Sequence, residues 1–218
     1  MFHVRHPYQS QTGQIKLSHA SGKAVFQNVT EGLALKYVVQ GHELYLIQGE
    51  YVPLSAGQFM LLNVDEPYQA MTQSVSTLTQ GICVDLDPHF VAAQVPNLME
   101  EDWWFHTPIQ ARHYLKLPLT LAELGQRNLR SDGEAVFHLL RQELEDLIQY
   151  VSPLQYPLQS LAKKSHTQKT LLSKLLIAKD YLSQYYRQSI SLQQLAAKAS
   201  ISPSHLHRSF QSCFGLTP

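Results

Sequence analysis

Residues 42–64 read HELYLIQGEYVPLSAGQFMLLNV. Two strand-like runs, HELYLI and EYVPL, flank Gln48-Gly49. That pairing predicts a hairpin, because glycine accepts the positive φ that a two-residue turn demands. Ser55-Ala56-Gly57 predicts the next turn, and QFMLLNV follows as an apolar strand. Upstream, LALKYVV has strand composition. Downstream, VSTLTQGICVDLD holds another strand, with a bulge expected at Gly81. Short strands at this spacing between residues 13 and 86 predict a sandwich or barrel.

Helices follow. Asp87-Pro88 is an N-cap and first-turn pair for HFVAAQV, and Pro96 ends that helix. EEDWWFHTPIQ reads as loop or return strand, and the stretch after Pro118 as helix. Ser131-Asp132-Gly133-Glu134 has capping-box spacing and opens a helix over 134–151. Val136, Leu140, Leu144, Leu147 and Val151 form one stripe on it, either core packing or a dimer seam. SPLQYPLQSLAKKSH, with two prolines, reads as a linker. An amphipathic helix is expected over 167–186, capped by Ser165 or Thr167, with Leu171, Leu175, Ala178, Leu182 and Tyr185 on its buried face. Ser191-Leu192-Gln193-Gln194 is a second capping box, and Ser202-Pro203 opens the last helix.

Charge divides the chain. The 218 residues sum to zero, but residues 163–218 hold eight Lys/Arg and one acid, a net of +7. The preceding residues therefore carry −7. Such asymmetry predicts two domains with different partners, the basic one suited to a polyanion. No apolar run reaches membrane-spanning length, and the first residues have no signal-peptide core. Two distant cysteines, Cys83 and Cys213, fit a reduced cytoplasmic protein.

The last two helices carry the candidate DNA site. Two short helices, near 191–199 and 203–214, meet at Ser200-Ile201-Ser202, which is helix-turn-helix spacing. Leu192, Leu195 and Ala196 face Leu206 and Phe210. At 100° per residue, Ser204, His207, Arg208 and Gln211 then point outward. Arg208 suits guanine O6 and N7, His207 and Ser204 a base edge or phosphate, and Ser202 a phosphate.

Residues 165–218, through IAKDYLSQYYRQSISLQQLAAKASISPSHLHRSFQSCFGLTP, resemble the first half of the AraC/XylS-type DNA-binding domain. GHELYLIQGEYVPLSAGQFMLLNVDEPYQA resembles, more loosely, the cupin-like sensor domain of such regulators. One departure is Ser200, where the family's turn usually carries glycine. The resemblance implies two DNA-reading units joined by a long helix. GLTP stands where that helix would begin, so this chain is expected to hold one unit and to bind DNA weakly. It also implies base-reading slots at Ser204, His207 and Arg208, and dimerisation through helix 134–151.

The expected architecture is therefore α+β. A cupin-like barrel or jelly roll spans 1–105, a helical dimerisation segment 106–152, a linker 153–166 and a helix-turn-helix subdomain 167–218. Cupin enzymes hold a metal with two His, a Glu and a later His. Here His42 and Glu43 are neighbours on opposite faces of one strand, and Tyr68 stands where the later histidine would fall. His3, His6, His19, His89, His106, His113 and His138 form no motif. No metal, cofactor or catalytic residue is predicted. Tyr37, Tyr45, Phe59 and Tyr68 are named as an effector-binding set, since aromatics with polar tips suit a pocket. The function expected is an effector-sensing transcription regulator. The alternatives are a ligand-binding or dimerisation module with little DNA affinity and, last, a cupin enzyme.

Overall fold

The hairpin at Gln48-Gly49 forms as its sequence dictates. Both residues have positive φ, 52° and 82°, and Ile47 faces Glu50 across the turn. The computed structural model describes residues 2–72, 78–98, 100, 102–110 and 133–218. They divide into two compact units, Met1–Ile148 and Gln149–Pro218.

The first unit is built from strands β1 (Phe2–Ser10), β2 (Gly13–Ser21), β3 (Ala24–Val29), β4 (Leu33–Gln40), β5 (His42–Ile47), β6 (Glu50–Ser55), β7 (Gln58–Leu62), β8 (Pro67–Thr72), β9 (Leu78–Leu86) and β10 (Ile109–Gln110). One sheet has the order β1-β2-β9-β4-β7-β10, the other β3-β8-β5-β6, all antiparallel. Setting aside β1 and β10, these are the two interleaved four-stranded sheets of a jelly roll, the double-sheet architecture cupins use. Prolines respect the edges. Pro53 lies in the edge strand β6, and Pro7 in the edge strand β1, where the register slips between Arg5 and Tyr8. The bulge expected at Gly81 lies opposite it, in β4, between Val38 and Gln40.

Strand β4 is buried on both faces. Ala34 and Val38 join Tyr45, Ile47, Leu54, Met60, Leu62 and Ala70 in the core between the sheets. Leu33, Leu35 and Tyr37 alternate to the opposite face, as do Phe59 and Leu61 of β7. After β9, helix α1 (Pro88–Gln94) starts at Asp87, whose Oδ1 accepts from Phe90 N at 2.9 Å. Glu66 ties loops together at the β7–β8 turn. It accepts from Gln48 Nε2, Asn63 N and His106 Nε2, each within 2.9 Å. Burial opposes this charge, but those three partners hold the Glu66 carboxyl below its ordinary pKa.

Helix α2 (Gly133–Val151) contains the division between the units. The helix predicted after Pro118, and Ser131 of the capping box, lie outside the described residues. Leu140, Leu144, Leu147 and Val151 are buried within the single chain, at 2% exposure or less. Of the two readings of the stripe, these four residues take the core-packing one. The exposed stripe of α2 is Gln142, Asp146 and Gln149, which is polar.

In the second unit, the expected linker 153–166 is mostly helix. Residues Ser152–Leu154 make a 3-10 turn and α3 spans Gln155–Leu161, burying Leu154 and Leu158. Both prolines fit because they fall in first turns, where no amide donor is needed. Helix α4 runs Ser165–Tyr185 from Lys164, with no side-chain cap, correcting Ser165 and Thr167. Its core face is Leu171, Leu172, Leu175, Leu176 and Ala178; Leu182 and Tyr185 are only half-buried. Helices α5 (Leu192–Lys198) and α6 (Pro203–Phe214) pack on each other and on α4. Among the described residues, no helix is long and apolar enough to cross a membrane.

The turn between α5 and α6 stores strain. Ser200 sits at φ 52°, a left-handed conformation that costs a residue with a Cβ roughly 1–2 kcal/mol. Ser200→Gly is expected to raise stability by about 0.5–1 kcal/mol, the gain being reduced by glycine's greater freedom when unfolded. Chemical denaturation measures it; an unchanged or lower midpoint would place no strain at this turn.

Candidate functional site

Two places in the molecule gather chemistry, one in each unit. The first is a cavity of about 380 Å³ between the sheets of the jelly roll. Strand register decides what enters it. Lys16, Cys83, Lys36 and Met60 lie side by side across β2, β9, β4 and β7, so all four point inward, the first three to the cavity and Met60 to the core beside it. From the facing sheet, Glu43 and Tyr45 of β5 and Tyr68 of β8 point back.

Of the four aromatics read from the sequence, the structure brings two together. Tyr45 and Tyr68 line the cavity, with ring centroids 5.9 Å apart. Tyr37 and Phe59 do not. They are register partners on the other face of the six-stranded sheet, buried at 8% and 0% exposure. Odd and even positions of β4 and β7 part at the sheet, and these two fall on the odd side.

Sequence reading missed the polar residues that give this cavity its character. Lys36 is 6% exposed, and its Nζ donates to Tyr68 Oη (2.9 Å) and Cys83 Sγ (2.8 Å). The ammonium also stands 4.5 Å from the Tyr68 ring centroid. The Cys83 thiol donates to Asp85 Oδ1 at 3.1 Å, and Asp85 Oδ2 pairs with Lys16 at 2.9 Å. Glu31 closes the chain, near Lys16 at 3.7 Å and hydrogen-bonded by Gln14. Tyr45 Oη donates to Glu43 Oε2. A lone lysine in the apolar run LALKYVV was the available signal.

Burial opposes the Lys36 charge, but its neighbours, Asp85 the one carboxylate among them, hold its pKa above the ordinary lysine value. Lys36 is thus an ammonium at neutral pH. Burial pushes the Cys83 thiol up to about 12, so it stays protonated. Burial raises the Glu43 carboxyl, against the pull of Tyr45 and Lys36. Among the described residues, no three His, Cys, Asp or Glu side chains are grouped to hold a metal. His42 is exposed and beside Ser55 Oγ at 3.2 Å.

The second place is the outer face of α6. Ser202 caps the helix, its Oγ accepting from His205 N at 3.4 Å, and Pro203 occupies the first turn. Leu206, Ser209 and Phe210 are buried. Ser204, Arg208 and Gln211 are exposed on the opposite side. His207 is half-buried at the flank, whereas His205, not singled out from sequence, is exposed. The capping box of α5 is complete, with Ser191 Oγ accepting from Gln194 N and Gln194 Oε1 from Ser191 N.

No family model matches the chain, and no curated protein matches it. Solved structures do. A cupin superfamily protein from Desulfitobacterium hafniense is 12% identical, over 40% of this chain and 78% of that one, with a TM-score of 0.37. The Cupin_2 domain of an XRE family transcriptional regulator from Enterobacter cloacae is 14% identical, over 40% of this chain and 97% of that one, with a TM-score of 0.37. The EutQ protein of Clostridium difficile is 17% identical, over 39% and 68% of the two chains, with a TM-score of 0.34. The jelly-roll assignment for this chain rests on its own strand order, β2-β9-β4-β7 facing β3-β8-β5-β6.

Proposed function

We propose that this chain is a ligand-responsive DNA-binding regulator, in which the jelly roll takes a small molecule and the terminal helices bind duplex DNA. The observation that carries the reading is the outer face of α6. Ser204, Arg208 and Gln211 stand exposed opposite a closed apolar seam, with His205 exposed at the flank, in a segment of net charge +7. A helix of this kind, introduced N-terminus first, fits a major groove. Arg208 supplies a fork for guanine, and the surrounding bases supply a salt-dependent grip on phosphate. Likeness to the AraC/XylS-type sequence pattern supports the same assignment. In this reading the jelly roll is a non-catalytic sensor in the cytoplasm.

The test is selection of preferred sites from a random duplex pool, followed by titration by fluorescence anisotropy. Arg208→Ala should weaken the selected site by about 1–3 kcal/mol and leave random DNA much less affected. Equal losses on both would make Arg208 a phosphate contact only. No enriched site at all would sink the regulator and leave the second reading, a ligand-binding module, which the cavity favours. Neither reading needs a leucine seam on α2, which the chain's own core occupies.

A further inference from the structure

The chemistry of the jelly-roll cavity narrows what it takes, given the reading of that unit as a sensor. A buried ammonium needs compensation. Lys36 has three protons to donate, and two go to the uncharged groups Tyr68 Oη and Cys83 Sγ. Among the described residues no carboxylate is ion-paired with it. Asp85, on the same sheet face, is engaged by Lys16 and by the Cys83 thiol. Tyr68 Oη accepts from Lys36, so its own proton remains to be given, and no described group takes it. An ammonium and a phenol thus stand side by side at one cavity, each with a hydrogen bond to donate.

The facing wall offers the reverse. Glu43 Oε2 accepts from Tyr45, while Oε1 receives no hydrogen bond among the described residues. Space for that oxygen comes from Gly81 of the opposite sheet. A Cβ there would lie 2.8 Å from Glu43 Oε1 and 2.7 Å from Ser18 Oγ. The cavity therefore has a donor pair at one place and an acceptor at another. Its volume of about 380 Å³ suits a small metabolite, not a polymer.

We propose that the cavity binds a small carboxylic acid bearing a hydroxyl or amino group, the carboxylate accepting from both Lys36 Nζ and Tyr68 Oη and the second group donating to Glu43 Oε1. The ligand is held without covalent chemistry. Its carboxylate supplies the direct ion pair that Lys36 lacks, and its donor satisfies Glu43.

The experiment is isothermal titration calorimetry of the full chain with a panel of short alpha-hydroxy, alpha-amino and unsubstituted carboxylic acids, each paired with its carboxamide. At least one acid should bind saturably, and its amide at least about tenfold more weakly, since a hydrogen bond to a charged group is worth about 1.5–3 kcal/mol. Lys36→Met and Tyr68→Phe should each weaken that acid by about tenfold or more. Tyr68→Phe keeps the ring, so its loss of binding does not depend on whether Lys36→Met folds. Glu43→Gln should weaken the amino acids more than the simple acids lacking the second group. Arg208→Ala should change nothing. Amides that bind as well as acids, a Tyr68→Phe variant with unaltered affinity, or a panel in which no acid binds would each overturn the proposal. Repeating the titrations with DNA present separates the two readings. An acid that binds but leaves DNA affinity unchanged keeps the site and removes the sensing role. DNA affinity that answers only to the amides removes the site and keeps the sensor.

Discussion

Phe59→Ala is expected to cost about 3–5 kcal/mol of stability while leaving the ligand preference of the cavity untouched. Phe59 is 0% exposed and sits in β7, opposite Tyr37 of β4 on one side and Ile109 of β10 on the other. Truncation removes a whole ring from a site flanked by strands on both sides, which cannot collapse to fill it. Urea denaturation followed by circular dichroism measures the loss. Binding at the cavity, which Phe59 does not line, should be unchanged for the fraction that is folded. A small loss of stability together with altered ligand preference would return Phe59 to the effector site from which the register removes it.

Gly32→Ala should be comparably severe, at about 3 kcal/mol or more, for a different reason. A Cβ at Gly32 would lie 2.1 Å from Leu86 O and 2.9 Å from Leu86 C. These are backbone atoms of β9, held by the pairing of Leu33 with Leu86, so no rotamer change relieves the clash. The comparison within the same protein is Gly49→Ala. Nothing lies within 4 Å of a Cβ there, and only its φ of 82° opposes alanine. That change should cost about 1–2 kcal/mol. If the two variants lose equal stability, close approach of β4 and β9 is not what position 32 enforces.

The strands with clear punctuation were legible. Gln48-Gly49 and Ser55-Ala56-Gly57 marked their turns through the need for positive φ, which Gly49 and Gly57 both show at 82°. β1, β3 and β8 were not, because FHVRHPYQS, AVFQNV and PYQAMT mix polar and apolar residues, as edge or half-exposed strands do. α3 was hidden by two prolines that a helix accepts in its first turn. At the cavity, composition pointed to aromatics in general, but only register tells Tyr45 and Tyr68 from Tyr37 and Phe59. A strand buried on both faces has no polar alternation to reveal which way it points. Lys36 was passed over for the same reason: an apolar run conceals which of its positions can host a charge. On α6 the apolar residues Leu206 and Phe210 fixed the outward direction well enough to place Ser204, Arg208 and Gln211. His205 and His207 stand at opposite flanks, where a rotation of a few tens of degrees decides exposure.

Gly81 has a further consequence, for how this cavity can diverge. The room that Glu43 Oε1 occupies is made by the lack of a side chain on the opposite sheet. A Cβ at 81 would crowd both Glu43 Oε1 and Ser18 Oγ, the ends of two flexible side chains that can turn aside. A substitution at 81 is therefore accommodated by moving the carboxylate from its place, so it acts on ligand preference more than on stability. Changes of ligand preference that leave Gly81 and Glu43 intact must come from the other wall residues, such as Phe26, Asn28 and Tyr45, which frame the cavity without competing for that space.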